Sequence, residues 1–120
     1  MKNEYVITYD EILQRGLDLN DYALDNAYIQ PLINTALDIA ITRCCFNYDN
    51  MEGEQDIEQA LDNNPTKVST FKKLQYRILY NLIFTATDDP VDLYVDTIIT
   101  HELNLGKING FQKGIWYKNY

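Results

Sequence analysis

TKVSTFKKLQYRILYNLIFTA, residues 66–86, is the stretch whose reading decides the fold. At about 100° per residue, Val68, Phe71, Leu74, Tyr76, Ile78, Leu79, Leu82, Ile83 and Ala86 fall on one continuous arc, the pattern of an α-helix. The arc is wider than a surface helix needs, so neighbours must cover this segment on more than one side. It reads as the central helix. The narrow stripe that remains holds Thr70, Lys73, Arg77 and Asn81. Every charge in the segment (Lys67, Lys72, Lys73 and Arg77) is positive.

Working outward toward the N-terminus, Asn63-Asn64-Pro65 ends a short helix over residues 56–62, and Pro65 or Thr66 opens the central one. That short helix shows Ile57, Ala60 and Leu61. Before it, residues 47–55 form an acidic, asparagine-bearing loop. Residues 25–46 read as a second long helix, with Ile29, Ile33, Ala36, Leu37, Ala40, Ile41 and Cys44 repeating at helical spacing. Pro31 either starts this helix, after a short helical turn, or kinks it near Ala27. The start is favoured, because proline inside a helix costs about 3 kcal/mol. Thr8 and Glu11 have the spacing of a capping box that opens a short helix stopped by Gly16, and residues 1–6 read as an extended lead-in.

Toward the C-terminus, Asp88-Asp89-Pro90 stops the central helix and opens the next one, with Pro90 at its first position. Val91, Tyr94, Val95, Ile98, Ile99 and Leu105 line one face, and Gly106 is expected as the C-cap. The last stretch, KINGFQKGIWYKNY, differs in kind. Asn109-Gly110 is a hairpin-turn dipeptide, and Phe111, Ile115, Trp116, Tyr117 and Tyr120 load aromatic and apolar weight onto a piece too short for its own core. It must pack on its own body, pack on a neighbour, or stay loose. The expected fold is therefore all-α: a compact bundle of about five helices, three longer and two short, over residues 1–106, followed by a C-terminal extended arm or small hairpin over residues 107–120.

A chain of 120 residues with 46% hydrophobic and 23% charged residues has the composition of one globular domain. No apolar run reaches the roughly 18 residues of a membrane span, and MKNEYVITYDE carries acids where a signal peptide needs an apolar core, so a soluble intracellular protein is expected. The formal net charge of −8 is unevenly spread, with 18 acids against 7 bases in residues 1–106 and three lysines with no acid beyond. That balance argues against a general nucleic-acid-binding surface. An acidic body with one basic helix and a basic tail can match opposite patches on neighbouring copies; equally, it can be a solvated surface that keeps the protein soluble.

Catalytic patterns are missing. His101 is the only histidine, and Ser69 the only serine. His101-Glu102 lacks the second histidine of a helical zinc motif, and two adjacent thiols, Cys44 and Cys45, make neither a zinc site nor an unstrained bridge. Setting Gly53 at position six of a calcium loop puts Tyr48 and Gln59 where carboxylates are needed. No phosphate-binding glycine motif occurs. No cofactor and no metal is expected, and His101 reads as structural at the edge of an apolar face. Tyr76 and Tyr94 are expected in the core. Tyr5, Tyr9, Tyr48, Tyr80, Tyr117 and Tyr120 are expected at the surface or an interface, where a ring with a polar handle is favoured.

In length, element order and segregated charge, the opening YVITYDEILQRGL, the helices IQPLINTALDIAITRCCF and FKKLQYRILYNLIF, and the ending KINGFQKGIWYKNY resemble the small head–tail connector (adaptor) proteins of tailed bacteriophages. The resemblance implies a non-enzymatic virion subunit, assembled in the host cytoplasm, that forms a homo-oligomeric ring between portal and tail proteins. DNA would at most pass through its channel. It gives residues 107–120 the role of an arm. Interface residues expected on this reading are Lys73, Arg77, Tyr80, Phe111, Trp116, Tyr117 and Tyr120. The alternative is a small acidic inhibitor or antitoxin-like protein that covers a basic partner surface, with Asp18, Asp21 and Asp25 among the acids engaged.

Overall fold

The computed structural model describes residues 1–15, 26–84 and 89–109. Its described elements are helical, in an all-α fold. The order is a single 3-10 turn at Asn3–Tyr5, α1 at Tyr9–Gln14, α2 at Asn26–Asn47, α3 at Glu54–Leu61, α4 at Pro65–Phe84 and α5 at Leu93–Thr97. The last of these widens into a π-helical turn at Ile98–Leu103.

Helix α4 is the hub. It contacts α2 most extensively, and also α3, α5, the π turn and the N-terminal turn. Phe71, Leu74, Ile78 and Leu79 are fully or almost fully buried, as the wide apolar arc requires. Asn64 accepts the Lys67 N–H at 3.1 Å through its side chain, and Pro65 takes the first helical position, where a missing N–H costs nothing. Helix α2 packs against it and buries Ile29, Ile33, Ala36, Ala40 and Cys44. The two alanines, four residues apart, leave little side chain between the backbones, which permits a close helix approach.

Pro31 lies inside α2, not at its start. Its missing N–H deprives the Ala27 carbonyl of a helical partner, but Ala27 and Pro31 both face solvent, where water can take that role. The Thr8–Glu11 box forms as expected. The Thr8 hydroxyl accepts the Glu11 N–H at 3.2 Å and lies 3.2 Å from its carboxylate.

The lead-in is not extended. It makes the 3-10 turn and buries Tyr5 and Ile7 against α4. The anchor is Gln75, fully buried in the middle of the apolar arc. It donates to the Tyr5 carbonyl at 2.8 Å and accepts the Ile7 N–H at 3.3 Å. The loop after α2 also turns inward, burying Tyr48 and Met51. Tyr5 and Tyr48 thus belong to the core, each with its hydroxyl satisfied, Tyr5 on Asp62 and Tyr48 on the Ile99 carbonyl.

The last helix starts later than the sequence suggests. The Asp89 carboxylate takes the Val91 N–H at 2.9 Å in a local turn that keeps Pro90 and Val91 outside the helix. Asp92 caps instead, accepting the Val95 N–H at 2.8 Å. Asn104, at φ 52°, ends the π turn in the left-handed region, so Gly106 is not the cap. Gly106 matters through close approach: a Cβ there would fall 2.2 Å from the Asn50 side chain, which accepts the Lys107 N–H at 3.0 Å.

Candidate interaction surface

The stripe of α4 that the periodicity leaves outside the core is not open to solvent along its length. The segment from Pro90 to Glu102 runs over it. Asn81 donates to the Pro90 carbonyl at 2.7 Å and to Asp92 at 3.1 Å. Arg77 reaches the same Asp92 carboxylate at 2.9 Å, and Lys73 meets Glu102 at 3.1 Å. A polar seam thus fastens the C-terminal segment to the central helix, and Asn81 is almost fully buried in it. Partial burial works to raise the Asp92 carboxyl. The Val95 N–H, Arg77 and Asn81 together outweigh that and hold it below the usual carboxylate value.

Along this seam an aromatic and cationic surface emerges. The Arg77 guanidinium lies over the Tyr94 ring at 5.0 Å and the Tyr80 ring at 5.4 Å, and the Lys73 ammonium is 5.7 Å from Tyr94. Tyr80 continues the patch onto Phe84, ring centroids 4.9 Å apart. Tyr80, Tyr94 and neighbouring Leu93 are exposed by 40%, 46% and 67%. Tyr94 was expected in the core. The face of α5 that meets the core is filled by Val95 together with Ile98 and Ile99 of the π turn, which leaves Tyr94 about 100° to one side of Val95, over the seam.

Of the expected interface residues, the structure brings together Lys73, Arg77 and Tyr80, and adds Tyr94 and Leu93. Phe111, Trp116, Tyr117 and Tyr120 lie outside the described residues, as do Asp18, Asp21 and Asp25. The only sequence signal for Leu93 and Tyr94 was their place beside Asp92, whose capping role fixes the register.

Two further described cations pair within the body, while Lys2, Arg15 and Lys107 are exposed. Arg43 makes a two-pronged contact with Asp96 at 2.9 and 3.0 Å, and Lys72 pairs with Glu11 at 3.1 Å. The exposed acids Glu4, Asp10, Asp38, Asp49 and Glu52 outnumber what these cations neutralise, so the body presents a negative surface. His101 is exposed on the π turn. Burial pushes both thiols up, Cys44 most strongly. Among the described residues no group of three or more His, Cys, Asp or Glu side chains could hold a metal ion. No described helix is long and apolar enough to cross a membrane. What the surface presents is aromatic faces beside paired charges. No family model matches the chain, and neither does any curated protein or solved structure, so the reading of this surface rests on its own geometry.

Proposed function

We propose that the chain is a non-enzymatic structural subunit of a virion, one that forms a head–tail connector ring between portal and tail through protein–protein contacts. The observation that carries the reading is the exposed Tyr80–Arg77–Tyr94 surface with Leu93 beside it. Tyrosine and arginine dominate the buried centres of interfaces, and here both rings and the guanidinium are already fixed by helices and ion pairs, so little side-chain freedom is lost on docking. A head-to-tail contact that closes into a ring uses two different faces of each subunit, which suits a molecule whose aromatic patch and acidic body are separate. An acidic channel wall would let DNA pass without holding it. Residues 107–120 would serve as the arm.

Native mass spectrometry of the full chain tests this, alongside a Tyr80→Ala/Tyr94→Ala variant of unchanged helicity. A defined multimer that falls to monomer in the variant is the expected result. A wild-type chain that stays monomeric at high micromolar concentration, and also fails to associate with isolated portal rings, would overturn the reading. The excess of exposed acids favours a second reading, an acidic inhibitor or antitoxin-like protein; capture of a single basic partner by the monomer would select it.

A further inference from the structure

The last described residues are fastened to the C-terminal end of α2. Tyr48 and Ile108 pair as an isolated antiparallel bridge. The Asp49 N–H donates to the Lys107 carbonyl at 2.7 Å, and the Asn109 N–H donates to the Asn47 carbonyl at 2.7 Å. Residues 47 to 49 lead away from the C-terminal end of α2, so the antiparallel run from 107 to 109 heads back toward it. Asn109, the last described residue, is thus held beside Asn47 at the C-terminal end of α2.

An exposed flank of α2 begins one residue before Asn47. Phe46 comes first, 51% exposed, with the Arg43 guanidinium 4.9 Å from its ring centre. Beyond it is a groove of about 310 Å³ between α2 and the strand of chain before α5, lined by Thr35, Asp38, Ile39, Thr42, Arg43 and Val91. Phe46, Thr42, Ile39 and Thr35 are three or four residues apart and share one flank. Ile39 and Val91 give the groove an apolar wall, and Asp38 sets an exposed acid on its rim.

The chain that follows Asn109 fits this strip in length and in chemistry. From Asn47 back to Thr35 is about 18 Å of helix, and residues 110–120 can span up to about 36 Å when extended. Their sequence, GFQKGIWYKNY, supplies Phe111, Ile115 and Trp116 for the apolar wall, with Lys113 and Lys118 and no acid to meet the exposed Asp38 on its rim. We propose that the α2 groove is the seat of this chain's own residues 110–120, folded back antiparallel to α2, with Phe111 over Phe46 and the Ile115-Trp116 pair beside Ile39. Tethering favours the intrachain partner, since the segment starts at one end of its seat. The inference does not depend on ring formation; within a ring, the segment would have to leave this seat before it could act as an arm.

Trp116 is the only tryptophan, so its emission reports this segment alone. The test compares the full chain at two concentrations tenfold apart, Ile39→Arg and Thr35→Arg variants of the full chain, and the free peptide GFQKGIWYKNY. Expected are a blue-shifted emission and acrylamide quenching at least threefold weaker than in the peptide, both unchanged by dilution, and both returned to peptide values in either variant. Thr35 is exposed, so its substitution keeps the test sound if Ile39→Arg disturbs folding. Full-chain quenching equal to the peptide's would overturn the proposal. So would a protected Trp116 that neither variant exposes, which would place the seat elsewhere. Protection lost on dilution would assign the groove to a second copy's tail and equally overturn the intrachain seat.

Discussion

Gln75→Met is the substitution that most directly tests how the N-terminal segment is held. Methionine has nearly the length and volume of glutamine, so the packing around Phe71, Leu74 and Leu79 is preserved. What disappears is the pair of buried hydrogen bonds to the Tyr5 carbonyl at 2.8 Å and from the Ile7 N–H at 3.3 Å, along with a 3.3 Å bond to the Phe71 carbonyl of its own helix. Each backbone group left without a partner costs about 1–3 kcal/mol. The longer Ile7 bond belongs at the weak end, and burying an apolar side chain returns part of the loss, so the net should be about 2–3 kcal/mol. The loss has a ceiling. If it exceeds the free energy that docks residues 1–8, the segment detaches and the rest of the bundle stays folded. Urea denaturation followed by far-UV circular dichroism reads the global cost, and amide exchange at Ile7 reads the local one. Gln75→Glu sharpens the test, because the introduced carboxyl would be ionised and face the Tyr5 carbonyl. Burial there raises its folded value above the unfolded one, so its penalty is absent at low pH and grows as pH rises above about 4. A Gln75→Met protein within about 0.3 kcal/mol of wild type, with Ile7 still protected, would refute the account of this anchor.

The Asp92 cap and the central apolar arc give the other checks. Asp92→Ala removes the cap of α5 and the Arg77 partner; the cap is worth about 1 kcal/mol, and the pair, with both side chains about a third exposed, adds at most about 0.5. Asp92→Asn keeps a capping oxygen and should cost about half as much in urea denaturation, while equal costs would mean that charge alone sets the register. The Asp92 carboxyl is held below its unfolded value, so its contribution is complete above about pH 4 and fades as pH falls through the folded value. Wild type and Asp92→Asn should therefore converge in stability as pH falls below about 4. Leu74→Asp or Ile78→Asp places a charge at a fully buried position and should abolish the cooperative transition seen by circular dichroism; native helicity in either variant would mean that α4 is not the hub.

The parts of this fold that were legible in the sequence are those where a residue and its partner are close in the chain. Thr8 and Glu11, Asn64 with Pro65, and the spacing of Phe71, Leu74 and Ile78 each carry their own geometry within one or two turns. The structure keeps all of them. Where the deciding partner is remote, the local rule points the wrong way. Gln75 is polar and so escapes any count of core positions, yet it lies at the centre of the apolar arc because backbone groups some seventy residues earlier need it. Asp88-Asp89-Pro90 is a good local helix start, but Asp92 wins because Arg77 and Asn81 on another helix hold its carboxylate in place.

The candidate surface follows the same division. Lys73, Arg77 and Tyr80 were legible because one helix sets them on one side. Tyr94 joins them only through the register that Asp92 fixes and the π turn continues, and no periodicity within residues 90–105 contains that information. Arg77 and Lys73, read as free for a partner, are spent first on Asp92 and Glu102. Charge segregation along the sequence was therefore first an intramolecular instruction, docking the last helix across the central one. A partner docking here, as proposed, would meet aromatic faces braced by ion pairs rather than a bare basic stripe. Association through it should accordingly depend more on Tyr80 and Tyr94 than on salt concentration, because the charges beside them are already paired within the chain.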